Sequence, residues 1–77
     1  MKNNQINDKE ILKTFGSNVR IIRNNLQISQ EELAFKADIN TSFLSDIENG
    51  KRNVSIISII KISLALNVDV IKLFEGI

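Results

Sequence analysis

From residue 8 onward the large apolar residues recur at the three- and four-residue spacings that place side chains on one face of an α-helix. Ile11, Leu12, Phe15, Val19, Ile22 and Leu26 form the first stripe. Asn7 with Glu10 after it predicts a capping box at the start, and "NNLQ" predicts the end. The rhythm then breaks and restarts twice. Ser29 with Glu32 is a second capping signature, Gln30 and two glutamates fill the first turn where negative charge suits the helix dipole, and Leu33, Ala34 and Ala37 face inward over residues 30–37. Asp38, Ile39 and Asn40 make the break, because Asp and Asn tolerate the left-handed backbone of a tight turn and Asn40 can cap the next helix. That third helix is expected over residues 41–49, with Phe43, Leu44 and Ile47 inward and Gly50 as its stop. Ser55 caps a fourth helix reaching Leu66, and Asp69 opens a fifth over "VIKLFEG".

Helices of barely two turns are marginal in water on their own. Two of them joined by a three- or four-residue turn have the geometry in which the first helix crosses a DNA backbone and the second enters the major groove. Ala34 is small enough for the two to approach closely, and Leu33, Leu44 and Ile47 anchor their angle. On periodicity alone an ordinary helical hairpin in a small bundle fits as well.

The 77 residues hold one domain, with residues 1–7 as a flexible polar arm and residues 8–77 as the folded unit. The absence of proline agrees with helices throughout. Cysteine and histidine are both absent, which excludes disulfides, the usual zinc sites and histidine acid–base chemistry, so neither metal nor cofactor is expected. Catalysis is not expected either: no phosphate-cradling glycine loop is present, and Asp46 and Glu48 do not share a helix face. The greasy run from Val54 stops at Lys61, well short of about 20 residues, so the expectation is a cytoplasmic protein with no membrane contact. A net charge of +1 is too mild to announce nucleic-acid binding, which leaves the distribution of charge to do so.

Three pieces, "RIIRNNLQISQEELA", "SFLSDIENGKRNVS" and "ISLALNVDVIKLFEG", occur in an order and spacing that resemble the Cro/C1-type (XRE-like) helix-turn-helix regulators. The compact size, the "GKRN" loop and the apolar fourth helix look especially like the controller proteins of restriction–modification systems. The resemblance implies an all-α, five-helix, lambda-repressor-like domain. It makes Thr41, Ser42 and Ser45 the base-facing positions, whose hydroxyls can donate or accept while the Thr41 methyl can meet a thymine methyl. Asp46 shares that neighbourhood but can only accept. Arg23 and Glu48 match positions that pair across the first and third helices and turn the arginine towards the DNA backbone. Further phosphate contacts are expected from Gln30 and nearby N–H groups, from Lys36, and from Lys51, Arg52 and Asn53. Asp38 departs from the family, which commonly has glycine there.

The fourth helix is too apolar for one core. At about 100 degrees per residue its isoleucines and leucines cover roughly 220 degrees, about twice a core-facing stripe. A homodimer is therefore expected, with Ile59, Ile62, Leu66, Val70 and Phe74 at its interface and Ile60 and Leu64 turned to the core. The reading is a DNA-binding transcriptional regulator on a palindromic double-stranded operator, with RNA polymerase as a partner where it activates. The alternative is a protein-interaction or antitoxin-like module of the same fold, whose main ligand is a protein.

Overall fold

The computed structural model describes residues 7–77 and is helical throughout: α1 (Asp8–Asn25), α2 (Gln30–Ala37), α3 (Thr41–Glu48), α4 (Ile56–Leu66) and a closing 3-10 helix, Val70–Phe74. The expected arm lies outside the described residues apart from Asn7, which caps α1 through its Oδ1, accepting from the Lys9 N–H at 2.9 Å and the Glu10 N–H at 3.3 Å. The expected fifth helix is the 3-10 stretch, capped by Asp69 Oδ1 on the Ile71 N–H at 3.0 Å. At five residues it is slightly longer than the usual 3-10 run of three or four.

Side-chain oxygens start the other helices. Ser29 Oγ accepts from the Glu32 N–H at 3.0 Å while Glu32 Oε1 accepts from the Ser29 N–H at 2.9 Å, closing a capping box. Asn40 Oδ1 accepts from the Ser42 N–H at 2.7 Å, and Ser55 Oγ from the Ser58 N–H at 3.1 Å. All four α-helices also end alike, on a left-handed residue: Gln27 (φ 60), Asp38 (φ 57), Gly50 (φ 72) and Asn67 (φ 58). Each is followed by the paired reverse bonds of a Schellman motif, for example Asp38 N–H to Phe35 O at 3.2 Å and Ile39 N–H to Ala34 O at 3.0 Å. The sharp stops let four helices fit into so short a chain.

One core joins them: Phe15 and Val19 of α1, Leu33, Ala34 and Ala37 of α2, Leu44 and Ile47 of α3, Ile62 and Leu66 of α4, and Leu73. Each large side chain buried there stabilises the fold by about 1.5–3 kcal/mol. α2 packs against both α3 and α4, and α1 lies across α3 and along the 3-10 helix. Where α1 crosses the end of α3 it carries Gly16, and a Cβ there would collide with the Ile47 and Glu48 carbonyl oxygens. The close approach sets the α1–α3 distance.

The phase expected for α4 is corrected. Ile62 and Leu66 are 0% and 2% exposed and belong to the core, so neither can line a dimer interface. Ile60 and Leu64, expected inside, are 41% and 74% exposed. Ile59 and Val70 are half-buried against the core, whereas Phe74 stays 40% exposed, with its ring tilted at 48° to that of Phe15 and the centroids 5.5 Å apart. The outward face of α4 is Ile56, Ile57, Ile60 and Leu64, with Ile71 also exposed. No helix among the described residues is long and apolar enough to cross a membrane.

Candidate nucleic-acid interface

The N-cap at Asn40 starts α3 abruptly after the turn, and its buried residues, Leu44, Ile47 and Glu48, fix which side faces out. Thr41 and Ser42 are exposed and Ser45 is half-buried, so the three hydroxyls form one short-chained polar edge. Such an edge lets a backbone sit close to whatever it meets.

Glu48 holds this helix in place. Its side chain is fully buried, and its carboxylate joins three elements. From α1, Arg23 Nε donates to Oε2 at 2.7 Å and Arg23 Nη2 to Oε1 at 3.0 Å, a two-pronged pair; from α2, Gln30 Nε2 donates to Oε1 at 2.9 Å. Arg20 Nε stands 3.5 Å from Oε1. Burial alone would raise the Glu48 pKa, but the hydrogen bonds from Arg23 and Gln30 and the charges of Arg23 and Arg20 outweigh it and hold the carboxyl below its ordinary value. Glu48 is therefore charged at neutral pH. Arg23 Nη1 donates to Ile28 O at 2.9 Å, which ties the α1–α2 connection into the same network.

The residues expected at phosphates divide into two groups. Arg23, 12% exposed with all three nitrogens engaged, and Gln30, half-buried and bonded to Glu48, are parts of the frame that orients α3. Lys36, Lys51, Arg52 and Asn53 are exposed. The loop after α3 folds back on it: the Arg52 guanidinium lies 5.0 Å from the Phe43 ring centroid, with Nε 4.0 Å from Asp46 Oδ2. Asp46 thus has a cation beside it. At the turn, Lys61 Nζ approaches Asp38 Oδ2 at 3.9 Å, an exposed pair of small energetic consequence.

Sequence reasoning missed Gly16, the bond from Gln30 to Glu48, and the bond from Arg20 Nη2 to Asn49 Oδ1 at 2.6 Å. Only Gly16 left a signal, because a glycine between Phe15 and Val19 weakens a helix and calls for a packing reason. Among the described residues no group of carboxylates is placed to hold a metal ion.

Two short helices at a fixed angle, the second with a small polar edge outward and a basic loop after it, define a helix-turn-helix module. The chain belongs to the helix-turn-helix family, whose model matches residues 19–73. Its relatives narrow the class. It is 53% identical over 55 residues to the control protein C.BamHI of Bacillus amyloliquefaciens, a match that covers 70% of this chain and 68% of that one. Its fold matches the crystal structure of the restriction-modification controller protein C.AhdI from Aeromonas hydrophila with a TM-score of 0.81 at 38% identity, covering 82% of this chain and 96% of that chain. It also matches the controller protein C.Esp1396I, solved as a tetramer in complex with its natural 35 base-pair operator, with a TM-score of 0.77 at 31% identity over 84% of this chain and 86% of that chain.

Proposed function

We propose that this chain is a sequence-specific double-stranded DNA-binding regulator of transcription that acts as a homodimer on a two-fold symmetric operator and controls a restriction–modification system. The observation that carries the reading is the α3 edge of Thr41, Ser42 and Ser45, held outward by the buried Glu48 network. Small hydroxyls there meet base edges, while Lys36, Lys51, Arg52 and Asn53 meet phosphates on either side. The likeness to control proteins, one of them solved on its operator, supports the same reading.

A single chain offers one such helix, and two must lie about 34 Å apart to meet successive major grooves on one side of the duplex. The outward face of α4, with Ile57, Ile60 and Leu64, supplies a self-complementary apolar patch for this pairing, joined by Ile71. RNA polymerase is the further partner where the operator lies beside a promoter, and the operator's position decides between activation and repression.

Selection of bound fragments from random DNA, followed by footprinting, tests the proposal. The expected result is a palindromic footprint with two half-sites about one helical turn apart. Equal affinity for selected and scrambled duplexes would end the regulator reading.

A further inference from the structure

We propose that Arg20 and Asn49 form an additional backbone-phosphate site at the C-terminal end of α3, an inference that rests on the DNA-binding reading above. Around Glu48 the fold gathers two arginines and one carboxylate. Arg23 takes both carboxylate oxygens and is 12% exposed, so that pair of charges cancels beneath the surface. Arg20 is the surplus cation, 42% exposed, and is the part of the cluster that meets solvent.

Its bond to Asn49 decides what Asn49 presents. Arg20 Nη2 donates to Asn49 Oδ1 at 2.6 Å, so the carboxamide oxygen is held inward and Nδ2 is turned away from Arg20. Among the described residues neither Asn49 Nδ2 nor Arg20 Nη1 makes a hydrogen bond. The result is a group of N–H donors carrying net positive charge. Asp46, the half-buried acid of α3, lies beside Arg52 at 4.0 Å and leaves the donors without a competing free carboxylate on that helix. Lys13 adds a second exposed cation seven residues from Arg20 on the same face of α1, where its backbone and Cγ abut Gly50.

Placement selects the ligand. Asn49 follows Ser45 by four residues and Ser42 by seven, so it lies on the same side of α3, one turn further on. The first residues of a recognition helix reach the bases, and its other end leaves the groove floor for the sugar–phosphate wall. Donors with a guanidinium fork at that wall match phosphate oxygens.

The test compares wild type, Arg20→Gln and Asn49→Asp for binding to selected and scrambled duplexes across a salt series, with thermal melts of each protein. Asn49→Asp retains an acceptor for Arg20 but replaces the outward donors with negative charge. Arg20→Gln is expected to flatten the slope of log affinity against log salt by about 0.9 per phosphate, about 1.8 for both sites of a dimer, with the ratio of selected to scrambled affinity unchanged. Asn49→Asp is expected to melt at least as high as wild type and to bind both duplexes more weakly. A folded Arg20→Gln with the wild-type slope overturns the site, and so does a loss confined to the selected duplex, which would mean that Arg20 only orients α3. Should Arg20→Gln not fold, a stable Asn49→Asp with wild-type affinity overturns it. A wild type that does not discriminate the two duplexes removes the DNA reading itself, a result distinct from all of these.

Discussion

Replacing Glu48 by glutamine keeps the side chain's size and removes its charge where three helices meet. In the wild type, Oε2 accepts from Arg23 Nε at 2.7 Å, and Oε1 accepts from Arg23 Nη2 at 3.0 Å and Gln30 Nε2 at 2.9 Å. A carboxamide offers one oxygen and one NH2, so one side of this arrangement meets donor against donor whichever way the amide is turned. Arg23, 12% exposed, is then a cation without its counter-charge. Removing one partner of a buried pair costs about 3–5 kcal/mol, and because Arg23 keeps its bond to Ile28 O the low end, about 3 kcal/mol, is expected. A domain of this size holds roughly 4–12 kcal/mol in total, so the variant keeps roughly 1–9 kcal/mol and stays folded. At about 4–8 °C per kcal/mol the melting temperature falls by roughly 12–24 °C. The pH dependence gives a second check. The folded-state pKa of Glu48 lies below its ordinary value of 4.5, so its charge stabilises the fold above that value and the contribution is lost as pH falls through the folded pKa. The gap between wild type and variant is therefore full at neutral pH and closes in acid. Urea and thermal melts followed by circular dichroism, repeated from neutral pH downward, measure both. A neutral-pH difference below about 1 kcal/mol, the range of an ordinary surface pair, would refute the energetic argument, and a gap that stays constant in acid would refute the assignment to the Glu48 charge.

Gln27→Gly is expected to raise stability by about 0.5–1 kcal/mol in urea melts, because it relieves a left-handed residue that bears a Cβ; a loss would mean that the Gln27 side chain makes a contact that outweighs the strain. Arg52→Ala is expected to weaken binding to selected and scrambled DNA about equally, and Thr41→Ala to weaken binding to the selected duplex more; titrations in which both variants behave alike would contradict the division between phosphate and base contacts. Leu64→Lys is expected to sediment as a folded monomer with weak operator binding, whereas Ile62→Lys is expected not to fold, since Leu64 is 74% exposed and Ile62 0%; a folded Ile62→Lys monomer would reverse the assignment of the two faces of α4.

The elements around the turn were legible because their signals are local. Ser29 with Glu32, Asn40, Gly50 and Ser55 each act on N–H or C=O groups within a few residues, so their chemistry fixes the helix ends whatever the rest of the chain does. The frame was only half legible. That Arg23 and Glu48 match paired positions came from family resemblance, but the part Gln30 plays depends on how α2 crosses α3, which no local pattern records. The same is true of Arg20 and Asn49, which are 29 residues apart in sequence.

The fourth helix differs from its sequence reading for another reason, the width of its apolar arc. At about 100 degrees per residue the arc of α4 splits into two halves: Ile59, Ile62 and Leu66 with Ser63 on one, and Ile56, Ile57, Ile60 and Leu64 on the other. Hydrophobicity ranks them equally, and a serine on one half argues against burying it; Ser63 is nevertheless buried, since its hydroxyl donates to Ile60 O at 2.8 Å and needs no water. The end of the helix breaks the tie. In a Schellman motif the residue after the left-handed one packs against the side chains four and five positions before that left-handed residue. After Asn67 that residue is Val68, packed on the core, so Ser63 and Ile62 must lie on the core side. The same relation places Ala34 and Leu33 under Ile39 in α2, and Ile22 under Ile28 in α1, all on the inner side. In α3 the corresponding residue is Lys51, which is exposed, and its partner Asp46 stays at the surface beside the basic loop. A left-handed stop followed by an apolar residue thus sets the rotational phase of a helix whose stripe is too wide to set it, and in α4 that phase turns Ile57, Ile60 and Leu64 outward, onto the face proposed above for pairing with a second copy of the chain.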